Sequence, residues 1–207
     1  MSITHSVLVA DGSSDRMLIP ILQKLLSELG QDIAFSDIIY SPVRADSLAK
    51  RVSLTVDKYP CDIVFVHRDA EGQSPDIRYD EIENVRSSLA EHNLVAVVPI
   101  RMTEAWLLVD ADAIHAAVGN RGATVNLDLP SVKMIESCDA KAILDQALSK
   151  SVNLNSRRRR KFRPEEYRTR VAELLSSIEP LRKLSSFVRF EADLKVVVDA
   201  LRLTKCT

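Results

Sequence analysis

Three short apolar runs, "SVLVA" at 6–10, "DIVFV" at 62–66 and "LVAVVPI" at 94–100, are separated by stretches with apolar residues at helical spacing. Runs this uniformly apolar belong to strands covered on both faces. Strands that alternate with amphipathic helices are joined by crossovers, so the pattern demands a mainly parallel sheet between helices. "SSDRMLIPILQKLLSELG", "RADSLAKRVSLTVDKYP" and "YDEIENVRSSLAEHN" supply helices, and "DIAFSDIIYSP" supplies a further strand. Ser13 or Ser14 is placed to cap the first helix. Pro20 marks a kink or a reset of its start, because proline cannot donate to the preceding turn. Past "VPIRM", the segment "TEAWLLVDADAIHAAVG" continues the apolar pattern, with Trp106 read as core.

The chain has 207 residues, 46% of them hydrophobic, enough for one α/β domain with a modest appendage. The expected division is an α/β core over residues 1–118 and a helical extension with a basic segment over 119–207, not an independent domain. Net charge is −1, so nucleic-acid binding requires a local basic cluster instead of a global field. No apolar run reaches the roughly 18 to 20 residues of a membrane span, and "MSITHSVLVADG" lacks the features of a secretory leader. The expectation is a cytoplasmic protein without membrane contact. Cys61, Cys138 and Cys206 are too scattered for a zinc site and odd in number for a disulfide framework, which leaves reduced thiols, Cys61 partly buried.

In an open parallel sheet, loops converge at the carboxyl ends of the strands, and chemistry gathers there. Asp11 follows the first strand, Asp69 and Glu71 follow the central one in "VFVHRDAEG", and Glu104 stands just past "VAVVPI". Crowded carboxylates repel, and the usual remedies are a raised pKa or a hard cation such as Mg²⁺, which takes oxygen ligands. Asp69 and Glu71, two residues apart, point the same way if extended backbone continues, and a turn can still aim both at one ion. A single acid at a strand end most often caps a helix or solvates a loop; several at one sheet edge argue for more. Glu104 sits between Met102 and "AWLLV", where an unpaired carboxylate is costly to desolvate, so it joins the site or pairs with Arg101 or Arg68. Asp15 fits the first helix turn more naturally than a metal. A strand-end histidine such as His67 is usually packed or hydrogen-bonded, and Arg68 suits either a phosphate or the acids themselves.

These residues carry a resemblance. "VLVADGSSDRMLIPILQKLL" resembles the first motif of the TOPRIM fold, a strand ending in an acid followed by glycine and a helix. "VFVHRDAEG" resembles its second, Asp-x-Asp motif, and "VPIRMTEAWLLVD" is similar to the Glu-bearing segment of small TOPRIM-like proteins of the DUF4276 type. The resemblance implies a Rossmann-like TOPRIM core and Mg²⁺- or Mn²⁺-dependent cleavage of DNA or RNA phosphodiesters, as in OLD-family nucleases. It makes Asp69 the principal metal ligand, Glu71 the second, and Asp11 a further metal-site residue acting as acid or base near the scissile phosphate. Glu104 completes the catalytic set. It also implies an ATPase partner in bacterial defence against phage, the chain having no G-x-x-x-x-G-K-[ST] loop of its own. Two positions depart from the family pattern: Asp11 replaces the usual glutamate and Glu71 the second aspartate. The changes compensate in reach, or they mark a catalytically degenerate binding or regulatory subunit. A receiver-like domain with Asp69 as phosphoacceptor is disfavoured, because the first strand offers one acid and no lysine lies at a convincing strand end.

The stretch "SRRRRKFRPEEYRTR" sets Arg157, Arg158, Arg159, Arg160, Lys161 and Arg163 in a row, with Phe162 and Tyr167 interleaved. Such a run binds phosphates and stacks bases, and with Arg68 it forms the expected nucleic-acid-binding set. Its ordinary alternative is a solvated loop or a helix face paired with Glu165 and Glu166. Apolar edge strands leave a homo-oligomer open.

Overall fold

The computed structural model describes residues 3–152 and 161–205. Four strands, β1 (Ser6–Val9), β2 (Ile39–Tyr40), β3 (Ile63–His67) and β4 (Asn93–Val97), form one all-parallel sheet in the order β2-β1-β3-β4. Val7 lies opposite Val64, and Val64 opposite Leu94, so apolar side chains run in rows across the sheet. α1 (Ile19–Leu29) carries the chain from β1 to β2, α2 (Leu48–Lys58) returns it past β1 to β3, and α3 (Pro75–Ser88) leads to β4. The chain therefore reverses its direction of travel across the sheet between β1 and β3. Loops leave these two strands in opposite directions, which opens a crevice at their carboxyl ends.

The α/β expectation holds, with local differences that have physical causes. The expected second strand pairs in two pieces, a Thr4–Phe35 bridge ahead of β1 and β2 beside β1, separated at Ser36–Ile38. A 3₁₀ turn (Ser13–Leu18) precedes α1, and Pro20 stands in the first turn of α1, where its missing N–H costs nothing. Neither Ser13 nor Ser14 caps this segment. Asp15 does so by reaching back to accept from the Gly12 N–H at 2.9 Å.

Side-chain alternation sorts the core into two layers. Leu8, Phe65, Val95 and Val97 face α1 and the C-terminal half; Val7, Val9, Val64 and Val66 face Val52 and Val56 of α2 and Ile82 and Val85 of α3. The C-terminal half contains α4 (Ala111–Ala117), α5 (Val132–Ile135), α6 (Ala140–Ser151), α7 (Arg168–Leu174) and α8 (Ser185–Lys205). Its apolar residues belong to the same buried cluster as the first layer of the sheet. Trp106 is fully buried there, edge-on to Phe187 at 5.1 Å and stacked on Phe190 at 5.7 Å, and its Nε1–H donates to Ser186 Oγ at 2.9 Å. Each such ring pair is worth about 0.5–1.5 kcal/mol beyond its buried area. Among the described residues, no helix is long and apolar enough to cross a membrane.

Candidate active site

The alternation that sorts the core continues past the strand ends and divides the acids. His67 continues the Phe65 side of the sheet and meets Asp15 and Thr103. Arg68 and Asp11 continue the Val66 and Val9 side and meet each other. All the expected acids stand at the carboxyl edge, but on two faces.

On the first face, buried His67 organises the site. Its Nε2 lies 2.9 Å from Thr103 Oγ1 and 3.2 Å from Asp69 Oδ1, and Thr103 Oγ1 donates to the same Asp69 oxygen at 3.2 Å. Its Nδ1 faces Asp15 Oδ2 at 3.4 Å, an electrostatic contact without hydrogen-bond geometry. Burial works against a charged ring, but Asp15 and Asp69 outweigh it and raise the pKa of His67 to about 9. The ring is thus cationic at neutral pH. Burial alone would raise the Asp15 carboxyl as well; the His67 ring and the Gly12 N–H reverse that and hold it below its ordinary value.

Glu104 lies in the 3₁₀ turn Thr103–Leu107 and is buried. It pairs with neither Arg101 nor Arg68. Its partner is buried Arg168 of α7, whose Nη1 donates to Glu104 Oε1 at 2.7 Å while Nη2 contacts both oxygens of Asp145 at 2.8 Å. Burial pushes the Glu104 carboxyl up; its own backbone N–H and Arg168 pull the other way without cancelling it, and the nearby charge of Asp69 adds to the rise.

A cleft of about 410 Å³ is lined by Asp15, Asp69, Glu71 and Glu104, together with Arg101 and Lys141. Its floor is rigid, because pairing between the β3 and β4 loops persists beyond the strands: Arg68 N–H to Val97 O, Ala70 N–H to Pro99 O and Glu71 N–H to Arg101 O, all at 3.1–3.2 Å. Glu71 (φ 53°) and Arg101 (φ 67°) both hold left-handed backbone. For non-glycine residues that costs on the order of 1 kcal/mol each, and such strain concentrates at functional sites. A larger groove of about 780 Å³, between α1 and α7, contains none of the strand-end acids.

Asp69, Glu71 and Glu104 thus share one cleft. Asp11 stands on the other face, half exposed, with Oδ1 2.9 Å from Arg51 Nη2 and Oδ2 3.4 Å from Arg68 Nε. Arg157, Arg158, Arg159 and Arg160 lie outside the described residues; Lys161 and Arg163 are exposed. The Phe162 and Tyr167 rings lie 4.9 Å apart and pack against the main core. Asp15, Thr103, Asp145, Lys141 and Arg168 join the site without having been singled out for it by sequence. Asp15 had a signal, since it follows Asp11 by four residues across a glycine. Arg168 had none that distinguishes it from Arg170.

Among the described residues, no three His, Cys, Asp or Glu side chains are already grouped as a metal cage. Mg²⁺ rarely uses one. It takes one or two carboxylates and completes its shell with water and substrate phosphate. The all-oxygen set of Asp69, Glu71 and Glu104 fits that chemistry. No protein-family model matches the chain, and no curated protein or solved structure is found to be similar to it.

Proposed function

We propose that this protein is a metal-dependent phosphodiester hydrolase acting on DNA or RNA, with a core of the TOPRIM type. The observation that carries the reading is the convergence of Asp15, Asp69, Glu71 and Glu104 on one cleft at the β1/β3 switch point, beside Arg101 and Lys141. Asp69 would hold Mg²⁺ or Mn²⁺ with help from Glu71 and Glu104. When bound, such an ion neutralises phosphoryl oxygens and lowers the pKa of a coordinated water. Thr103 and His67 fix the Asp69 carboxylate from behind, and Asp15 keeps the His67 ring charged. Arg101 and Lys141 supply positive charge for the phosphate group. An ATPase partner and a role in antiviral defence belong to the same reading.

The test is cleavage of single- and double-stranded DNA and RNA with Mg²⁺ or Mn²⁺, comparing the protein with Asp69→Asn. Metal-dependent cutting that disappears in the variant is expected. A folded protein that cuts nothing, alone or with its ATPase partner, overturns the reading.

A second reading, a catalytically degenerate binding subunit, draws support from the engagement of Asp11 by Arg51 and Arg68. Calorimetric titration with Mn²⁺ separates the two. The enzyme requires binding that Asp69→Asn abolishes, and the scaffold does not.

A further inference from the structure

The face opposite the acid cleft carries four guanidinium groups at the same strand ends. Arg44 Nη1 donates to the Asp11 carbonyl, and Arg51 Nη2 binds Asp11 Oδ1 at 2.9 Å. Arg68 reaches Asp11 Oδ2 and Glu81 Oε1, at 3.4 and 3.3 Å. Arg78 donates from Nε to the carbonyl of Asp69 at 3.1 Å, contacts Glu81 at 3.3 Å and Glu71 at 3.6 Å. Arg51, Arg68 and Arg78 share three carboxylates while Arg44 binds only a main-chain carbonyl, and two of the carboxylates are held loosely: Asp11 is half exposed and Glu71 is 72% exposed.

Two further observations point to an anionic ligand. Arg51 is buried to 7% exposure, where a guanidinium is costly unless its donors are used, yet its Nε has no hydrogen-bond acceptor among the described protein atoms. Arg68 Nε is buried as well and faces Asp11 Oδ2 at 3.4 Å without hydrogen-bond geometry. Second, the cluster is continuous with the acid cleft, since Arg78 binds the main chain of Asp69 and Arg68 precedes Asp69 in sequence. A nucleic-acid strand with one phosphodiester in the cleft carries further phosphates to either side, and the guanidinium face adjoins the cleft through the Arg78 contacts to Asp69 and Glu71.

We propose that Arg44, Arg51, Arg68 and Arg78 form a subsite for a backbone phosphate of the nucleic-acid substrate, flanking the phosphodiester held in the acid cleft. The proposal rests on the hydrolase reading for the identity of its ligand. Asp11 acts here as a positioning residue. Bound to Arg51 and Arg68, it aims both guanidinium groups and is partly replaced by the phosphate when substrate arrives. Arginine suits the role because its planar fork meets phosphate oxygens two at a time.

The test is fluorescence anisotropy with a labelled single-stranded oligonucleotide in EDTA, so that binding is read without cutting. The wild type is compared with Arg44→Ala and Arg68→Gln, and with Lys195→Ala, an exposed lysine on α8, as the charge control. Arg44 is exposed, so its replacement leaves the fold intact. Each arginine variant is expected to weaken binding about tenfold, the worth of one charge-assisted hydrogen bond. Each should also reduce the log–log salt slope by about 1, and Lys195→Ala should change neither. Unchanged affinity and slope in both arginine variants overturn the subsite, even where the protein cleaves. Arginine-dependent binding without cleavage in any substrate panel upholds the subsite and rejects the hydrolase. Competition by inorganic phosphate or a mononucleotide as strong as by the oligonucleotide means a small-anion site and overturns the proposal, as does an absence of oligonucleotide binding by the wild type.

Discussion

Arg86 of α3 and Asp193 of α8 together occupy the place of a residue on a fifth strand. Arg86 Nη2 donates to Leu94 O at 2.9 Å, Asp193 Oδ2 accepts from the Ala96 N–H at 2.9 Å, and the two side chains meet at 2.6 Å. In a parallel ladder, a residue opposite Val95 would donate to Leu94 and accept from Ala96 in the same way. β4 is an edge strand, and the ion pair satisfies the very groups that would otherwise recruit another strand.

Asp193→Ala therefore leaves the Ala96 N–H without its acceptor and removes one partner of Arg86, which keeps Leu94 O and Glu83. The expected loss is about 1–2 kcal/mol in urea unfolding, with aggregation that rises with protein concentration in light scattering. Unchanged stability and a monodisperse variant would mean that the covering helix alone protects the edge.

Glu104 and Arg168 give a prediction with a sign. The Glu104 carboxyl is raised above its ordinary value, so its contribution to stability is present in full below the ordinary carboxyl range. That contribution is lost as pH rises through the raised pKa. At pH 7 the ionised group is a liability that the fold tolerates, consistent with the metal-site role proposed for it. Glu104→Gln retains an oxygen for Arg168 and should be at least as stable as wild type at pH 7, with its relative advantage shrinking on acidification; on the proposed hydrolase reading, cleavage falls as well. Arg168→Ala strands the buried Glu104 and should cost about 3–5 kcal/mol. Thermal unfolding from pH 3 to 8 reads both.

The contrast between these acids shows what the sequence could and could not disclose. β1, β3 and β4 were legible because strands buried on both faces need unbroken apolar runs, as in Val7–Ala10 and Ile63–Val66. The acids were legible as strand-end residues for the same reason. Their division between faces was not, because it depends on the register that sets Val9 beside Val66 and on which helices cover each face. Arg168 reaches Glu104 across 64 residues of chain, a pairing made by the docking of α7 and invisible to any local pattern. Glu71 could share a site with Asp69 either along extended backbone or through a turn, and the structure takes the turn. Its left-handed conformation, with the N–H bonded to Arg101 O, sets it at the cleft rim at 72% exposure, a position the local spacing could not choose.

Asp110 ties the α/β half to the C-terminal helices. Its Oδ1 caps α4 at the Ala113 N–H (2.9 Å), and its Oδ2 accepts from the N–H and hydroxyl of Ser176 at 3.0 and 2.8 Å. Burial would raise this carboxyl, but the Ser176 and Ala113 bonds outweigh it and lower its pKa below 3.8. A lowered pKa means stability that is present above about pH 4 and lost as pH falls through the folded-state value. Asp110→Ala should cost about 1–2 kcal/mol at pH 7, and the gap to wild type should close in acid. No gap at pH 7 would mean that the bonds contribute nothing to folding, and a gap that stays constant to pH 2 would mean that their contribution does not depend on the charge.

Thr103 offers the sharpest separation of site from scaffold. It is buried, and its hydroxyl joins His67 Nε2 to Asp69 Oδ1, so Thr103→Val keeps the shape and removes only the link. Where Asp69 is a metal ligand, loss of a group that orients it should weaken Mn²⁺ binding by about 10- to 100-fold and slow cleavage in proportion, with Thr103→Ser restoring both. A purely structural role predicts the reverse: a lower unfolding temperature with metal affinity untouched. Isothermal titration with Mn²⁺ and thermal unfolding of the same three proteins decide the matter. If affinity stays at the wild-type level in Thr103→Val while Asp69→Asn abolishes it, Thr103 has no part in holding the carboxylate and the cationic His67 ring orients Asp69 alone.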